Sequence, residues 1–147
     1  MISLIVGAVV MAIADRCLLK RSDVADIELG EVEYLDGFIR VPIAYTSKFP
    51  FLRGATVSYW MQDARKPTTV IEGEPRHLAH AEKGQNSEWL FIPTACMDKK
   101  SGKWILTATV THGDSFINPL YRIFPIVQRA KRSYHLTFSQ DVNNGGE

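Results

Sequence analysis

The feature that most constrains the fold is an alternation of apolar and polar residues with a period of two. It is clearest from Trp104 to His112, where Trp104, Leu106, Ala108 and Val110 share one face and threonines and an isoleucine share the other. A period of two is the side-chain repeat of a β-strand, whereas a helix repeats every 3.6 residues. The run therefore predicts a strand with one buried face.

Other segments show the same alternation. Residues 37–45, 55–62 and 134–138 each place their apolar side chains on one face. In the segment 26–35 the apolar phase slips at Gly30, which predicts a β-bulge. Proline lacks the amide hydrogen that a sheet ladder needs, so Pro42 predicts an edge position or a bulge.

Two further runs, 88–93 and 120–127, are apolar almost throughout. They are interpreted as strands buried on both faces, or strands that cross between sheets. No helical period is present after residue 21, apart from a short turn near residues 75–82. Turn-forming residues separate the runs, so the sequence predicts about seven or eight short strands in an all-β antiparallel sandwich, preceded by an N-terminal hydrophobic helix.

Two short motifs resemble parts of immunoglobulin-like sandwiches. The sequence SGKWILTATVT at 101–111 resembles their penultimate strand, and SYWM at 58–61 resembles their tryptophan-bearing third strand. The chain departs from antibody domains because it lacks the paired inter-sheet cysteines, and because Trp60 shares a face with Thr56 and Ser58. Either Trp60 is not the core tryptophan, or this strand is buried on both sides. The resemblance implies an immunoglobulin-like β-sandwich that acts in adhesion or assembly by contact.

The first fourteen residues, Met1 to Ala14, carry no charged side chain. Three interpretations stay open: a membrane-inserted helix, a buried or intersubunit element, and a cleaved signal. A signal needs a basic first region, which Met1-Ile2-Ser3 does not supply, although Ala12-Ile13-Ala14 fits a cleavage site. A helix over residues 2–19 would be about 27 Å long, enough for a thin bilayer. The side chains predicted to contact the membrane are Ile2, Leu4, Ile5, Val6, Val9, Val10 and Ile13.

Charge and period together predict the division of the chain. Residues 1–21 form the anchor or intersubunit helix, 22–37 an acidic neck with the first strand, 38–140 the β-sandwich, and 141–147 a flexible tail. Arg16, Lys20 and Arg21 follow the apolar run, so the positive-inside rule places the domain in the cytoplasm or inside an enveloping particle. The formal net charge is +1, which lacks the basic excess of most nucleic-acid binders.

A histidine site is one alternative function. His77 and His80 are three residues apart and could share a metal on a helical turn, and His112 lies beside turn-forming residues. These histidines define the alternative of a small metal-dependent or hydrolytic enzyme. Two histidines are a weak metal motif, and no phosphate-binding loop is present, so no cofactor, metal or catalytic residue is predicted. The two cysteines, Cys17 and Cys96, are too few for a disulfide scaffold.

Two groups of residues are predicted to contact partners. Phe49 and Phe51 flank a proline in a loop, and Arg122, Arg129, Lys131 and Arg132 form a basic cluster near aromatic residues. The basic cluster supports a second alternative, a β-domain that binds nucleic acid through residues 129–132, although the near-neutral chain makes such a partner unfavourable.

The sequence thus predicts a non-enzymatic structural or protein-binding module. Its apolar N-terminus would tether it in a larger assembly, such as a virion, a secretion apparatus or a membrane complex. The expected partners are other protein subunits, with membrane contact through residues 1–19. The expected location is a membrane or the inside of a virus particle.

Overall fold

The computed structural model describes residues 1–20, 24–48, 55–78, 81–97, 101–113 and 116–138. The helix α1 (Ile2–Ala14) continues into a π-helical turn (Asp15–Leu19), and a short helix, α2 (Leu120–Ile123), precedes the last strand. The strands in the described residues are β1 (Val24–Leu29), β2 (Glu33–Leu35), β3 (Phe38–Ser47), β4 (Thr56–Asp63), β5 (Val70–Glu72), β6 (Arg76–His77), β7 (Gly84–Pro93), β8 (Gly102–His112) and β9 (Ile126–Leu136).

In the first sheet, β3 is the interior strand, with β7 along one edge and β1 and β2 along the other. Leu29 pairs with Ile43 and Glu33 with Arg40, so one extra residue separates β1 from β2. The Gly30 amide donates to the Pro42 carbonyl at 2.8 Å across this interruption. This extra residue agrees with the phase slip predicted at Gly30, and a second register shift lies within β1, between Ala25 and Glu28. The edge position for Pro42 is wrong, because β3 is interior and the proline lies opposite the break between β1 and β2.

The second sheet has β4 and β8 at its centre. Strands β5 and β6 pair with one edge of β4, β8 pairs with the other, and β9 lies outside β8. The β8–β9 register runs from Gly102 opposite Leu136 to His112 opposite Ile126. All the strand pairs of both sheets are antiparallel.

The core lies between the inner faces of the two sheets. Trp104, Leu106, Ala108 and Val110 are fully buried, and the alternating faces of β3 and β4 are buried against them. Burial of this kind is the main favourable term in folding. The prediction of an all-β antiparallel sandwich with an N-terminal apolar helix is confirmed. The immunoglobulin-like character stays a prediction.

Side chains tie the edges of the two sheets together. The Tyr134 hydroxyl on β9 donates to the Gly30 carbonyl at 2.7 Å, and Arg132 donates to the Leu29 carbonyl at 2.7 Å. Across the sandwich, the Tyr59 hydroxyl donates to the Phe91 carbonyl at 3.0 Å. Each of these contacts satisfies a carbonyl next to the core, where an unpaired polar group would destabilise the fold.

Three segments differ from their sequence-based prediction. Residues 120–127 are not a single strand: α2 begins at Leu120, with Pro119 as its N-cap, and β9 starts only at Ile126. Residues 88–93 are not buried on both faces, since burial alternates and only Leu90 and Ile92 are fully covered. The segment predicted as a turn near 75–82 contains β6, which pairs with β4.

Trp60 is half-buried, and its place on β4 is in phase with Thr56 and Ser58 rather than with the buried Val57 and Tyr59. It therefore lies on the outer face of the second sheet.

Candidate functional site

Helix α1 has no covering partner within the described part of the chain. None of its residues is buried, and the seven predicted membrane-contact side chains are between 49% and 80% exposed. The segment Ile2–Leu19 has a mean hydropathy of 2.1, which makes it long and apolar enough to cross a membrane. Exposed apolar surface of this extent indicates contact with lipid or with another protein.

The end of α1 is attached to the segment that contains α2. The Asn118 side-chain amide donates at 3.0 Å to the Ala12 carbonyl and at 3.0 Å to a carboxylate oxygen of Asp15. The Arg16 guanidinium donates to the Phe124 carbonyl and, at 3.0 Å, to the Pro125 carbonyl. These contacts, which we call the junction, hold the helix at a fixed level of the domain.

The junction is completed by an aromatic ring and a groove. Arg16 lies over the ring of Tyr121, 5.5 Å from its centroid, and Tyr121 is buried. A cation over a ring face is favourable, more so where water is excluded. The groove beside it is lined by Ile13, Arg16, Cys17, Leu120 and Phe124.

Four exposed apolar side chains lie in the segment of the domain that forms the junction. Phe116 is 78% exposed, Ile117 62%, Ile123 68% and Phe124 60%. We call this set the apolar rim. The segment 116–125, which carries the rim, has Arg122 as its one charged residue. The sequence did not reveal the rim, because Ile123 and Phe124 belong to the run 120–127 that was predicted to be a strand, and Phe116 and Ile117 were assigned to no element.

The predicted basic cluster is divided by the pleat of β9. Arg129 and Lys131 are exposed on the outer face of the second sheet, opposite Thr109 and Thr107 of β8. Arg132 lies in the other phase, where it contacts the Leu29 carbonyl and forms an ion pair with Glu31. Arg122 is on α2 rather than on β9, and it is exposed. Phe49 and Phe51 lie outside the described residues.

The histidines do not come together. His77 is exposed on β6 and pairs with Thr56 on the outer-face phase of the sheet, whereas His112 is buried at the end of β8. His80 lies outside the described residues. Within the described ranges, no group of three His, Cys, Asp or Glu side chains could hold a metal ion. Cys17 and Cys96 are exposed free thiols.

Burial and hydrogen bonds shift several pKa values in the domain. Burial raises the pKa of Tyr134 to about 12 and also raises that of Tyr45. Burial lowers the pKa of His112, although a hydrogen bond with Gln128 partly opposes this. Hydrogen bonds from Arg65 lower the pKa of Asp63. These shifts belong to scattered structural contacts, so they do not define a reaction centre.

Two crystal structures of OgpA from Akkermansia muciniphila have a similar arrangement. One is the wild-type protein, and the other is a catalytically inactive form in complex with an O-glycopeptide (glycodrosocin) substrate. Both are 12% identical to this chain, with TM-scores of 0.43 and 0.45. The match covers 75% and 78% of this chain but only 27% and 30% of OgpA. The chain thus spans less than a third of OgpA, and the likeness carries no functional argument.

No curated protein matches the chain. A protein family does, and the match extends over residues 1–147. That family is described as LydB, the LydA-holin antagonist. Since the match includes α1 as well as both sheets, the protein belongs to the LydB family of holin antagonists.

Proposed function

We propose that the protein is a membrane-anchored, non-enzymatic antagonist that binds a holin and delays the lysis that the holin causes. The observation that carries this proposal is the family match over all 147 residues, which includes the exposed apolar helix. A holin acts at the membrane, so an antagonist that binds it must reach the membrane as well. The proposed assembly is a complex with the holin at the membrane, rather than a virion.

Helix α1 supports the proposed location. Its side chains are apolar on every side, so it has no polar face to keep in water as an interfacial amphipathic helix does. Arg16 and Lys20 come directly after the apolar residues. By the positive-inside rule the domain would lie on the cytoplasmic side, beside the cytoplasmic ends of the holin's membrane segments.

The test is the timing of lysis in bacteria that express a LydA holin together with this chain. The wild-type chain should delay lysis, and it should co-purify with the holin from detergent-solubilised membranes. The double variant Val6→Lys, Val10→Asp should lose the delay, because charges inside the hydrocarbon oppose insertion. The matched control, Val6→Leu with Val10→Leu, keeps the helix apolar and should delay lysis as the wild type does.

Two results would count against the proposal. If the wild-type chain leaves the time of lysis unchanged at equal holin levels, the antagonist function is wrong for this protein. If the charged variant is expressed, stays soluble and still delays lysis fully, antagonism does not depend on the anchor. The control variant ensures that a loss of delay reflects charge rather than any change at residues 6 and 10.

A further inference from the structure

The apolar rim and α1 belong to one continuous surface. The junction joins Asn118 to Ala12 and Arg16 to Phe124 and Pro125, so the segment that carries the rim is attached to the end of the helix. Beyond that point, residues 1–11 are all exposed, and every rim side chain is at least 60% exposed. Any membrane that receives the helix up to the junction therefore also meets the rim.

We propose that the apolar rim inserts into the membrane interface and limits α1 to one leaflet. This inference rests on the membrane location in the proposed function and adds a second contact to it. The occupant of the rim is lipid. Binding at the interface strengthens with the apolar area that is buried there, and the rim supplies such area beside the helix.

The charges around the rim fit lipid headgroups. Arg122 is exposed within the rim segment, and Arg129 lies three residues along β9 from Ile126, roughly 10 Å at the rise of a strand. Exposed cations at this level attract anionic phosphates and add to apolar insertion. This placement gives Arg122 and Arg129, both predicted partner contacts, a common role next to the membrane.

The polar groups of the junction are also suited to the interface. Asp15 accepts a hydrogen bond from Asn118, and Arg16 donates to two carbonyls. A charged side chain with such partners is less costly to move out of water than an unpaired one. The junction can therefore lie at headgroup depth while residues 2–11 continue into the hydrocarbon. Ten residues of helix extend about 15 Å, which is half the thickness of a hydrocarbon core of about 30 Å.

The experiment places an environment-sensitive fluorophore on single cysteines of the full chain. The exposed Cys17 and Cys96 are first changed to serine, and the probe is attached at Ile123→Cys in the rim, Val9→Cys in the helix, or Val70→Cys as the control. Val70 is 45% exposed and lies level with Ile105, at the end of the second sheet far from His112 and the rim. The membrane is a vesicle of phosphatidylethanolamine and phosphatidylglycerol at 3:1.

We expect the emission at residues 9 and 123 to shift to the blue on vesicles, with residue 123 quenched best by lipids labelled near the headgroup. Emission at residue 70 should not change. The double variant Phe116→Ser, Ile123→Ser should lower the vesicle partition coefficient about tenfold, equivalent to about 1.4 kcal/mol. The control double variant Leu35→Ser, Val70→Ser removes two apolar residues outside the rim, which are 43% and 45% exposed, and should leave partitioning unchanged.

The possible outcomes test the rim inference and the membrane anchor independently. If residue 9 shifts and residue 123 does not, the rim inference is wrong and the anchor stands. If the emission shifts at neither residue, both the rim inference and the membrane anchor are wrong, whatever the lysis assay shows. If residue 123 shifts only when the vesicles also contain the holin, the rim binds protein rather than lipid, and the inference is again overturned.

Discussion

The depth of α1 can be measured with a lysine placed at successive positions along the helix. If the rim lies at the interface, Met11 is near the headgroups and Ser3, eight residues further, is about 12 Å deeper, close to the bilayer midplane. If the whole segment Ile2–Leu19 spans the membrane, Val10 is at the midplane and Ser3 is near the far surface. The two geometries therefore rank Ser3→Lys, Val6→Lys and Val10→Lys in opposite orders.

The size of the effect follows from insertion energies. A lysine at the bilayer centre costs about 2.5–3.5 kcal/mol, and the cost falls toward the interface. We expect Ser3→Lys to weaken membrane partitioning roughly 100-fold. Val6→Lys should weaken it less, and Val10→Lys least of all.

The same scale explains why the rim matters to the anchor. Residues 2–10 include six Ile, Leu or Val side chains, and each favours insertion by roughly 0.3–0.6 kcal/mol. The charged amine of Met1, close to the midplane in this geometry, opposes insertion by about 2.5–3.5 kcal/mol. These two free-energy terms nearly cancel, so insertion of the helix alone contributes little net binding free energy. In the proposed geometry, the rim then determines whether the protein stays bound to the membrane.

The assay is flotation of purified full-length protein over a range of lipid concentrations. Leucine at the same three positions is the matched control, and circular dichroism checks that the helix and the sheets are retained. A largest loss at Val10→Lys, with little at Ser3→Lys, would refute the one-leaflet geometry and favour a spanning helix. Equal losses at all three positions would mean that the junction does not set the depth.

Three further predictions concern the stability of the sandwich. Trp104→Ala should lower the free energy of unfolding by roughly 3–5 kcal/mol in urea titrations, whereas Thr107→Ala on the opposite face should lower it by less than about 1 kcal/mol. Equal losses would refute the face assignment. Because burial lowers the native pKa of His112, the unfolded state binds more protons below about pH 6.5. The free energy of unfolding should therefore decrease as the pH is lowered from 7.5 to 5.5, and His112→Gln should make this decrease smaller. If the variant shows the same decrease, His112 is not its source. Arg132→Ala should lower stability by about 1 kcal/mol through the lost contacts to the Leu29 carbonyl and Glu31. The exposed neighbour Lys131→Ala should change it by less than about 0.5 kcal/mol, and equal effects would deny Arg132 this role.

Most of the sandwich could be predicted because its strands bury one face each. The alternation at Trp104–Val110 and at Ile39–Tyr45 corresponds to side chains that are 3% exposed or less. The bulge was also predictable, since a slip of phase at Gly30 has the same effect on the side-chain pattern as one inserted residue. In both cases the local pattern and the tertiary contacts require the same arrangement.

The error at residues 120–127 falls where apolar side chains are not buried. Ile123 and Phe124 are exposed, so their apolar character was mistaken for that of a buried strand. The grouping of Arg129 with Arg132 failed for a related reason, since neighbours in sequence lie on opposite faces of a strand whenever their numbers differ by an odd count. A pattern that assumes burial cannot identify residues whose partner lies outside the chain.

The length of α1 that is available to lipid could not be predicted from the apolar run alone. A length criterion treats all of Ile2–Leu19 as available to lipid. The junction removes residues 12–19 from this length, because Ala12, Asp15 and Arg16 are hydrogen-bonded to the domain and cannot move deeper without carrying α2 and the rim with them. To cross the bilayer, the helix would have to break those hydrogen bonds and expose the Arg16 guanidinium to the hydrocarbon. In the proposed geometry, the depth of the anchor is therefore set by Asn118 and Arg16, two polar residues, and not by the number of apolar residues that precede them.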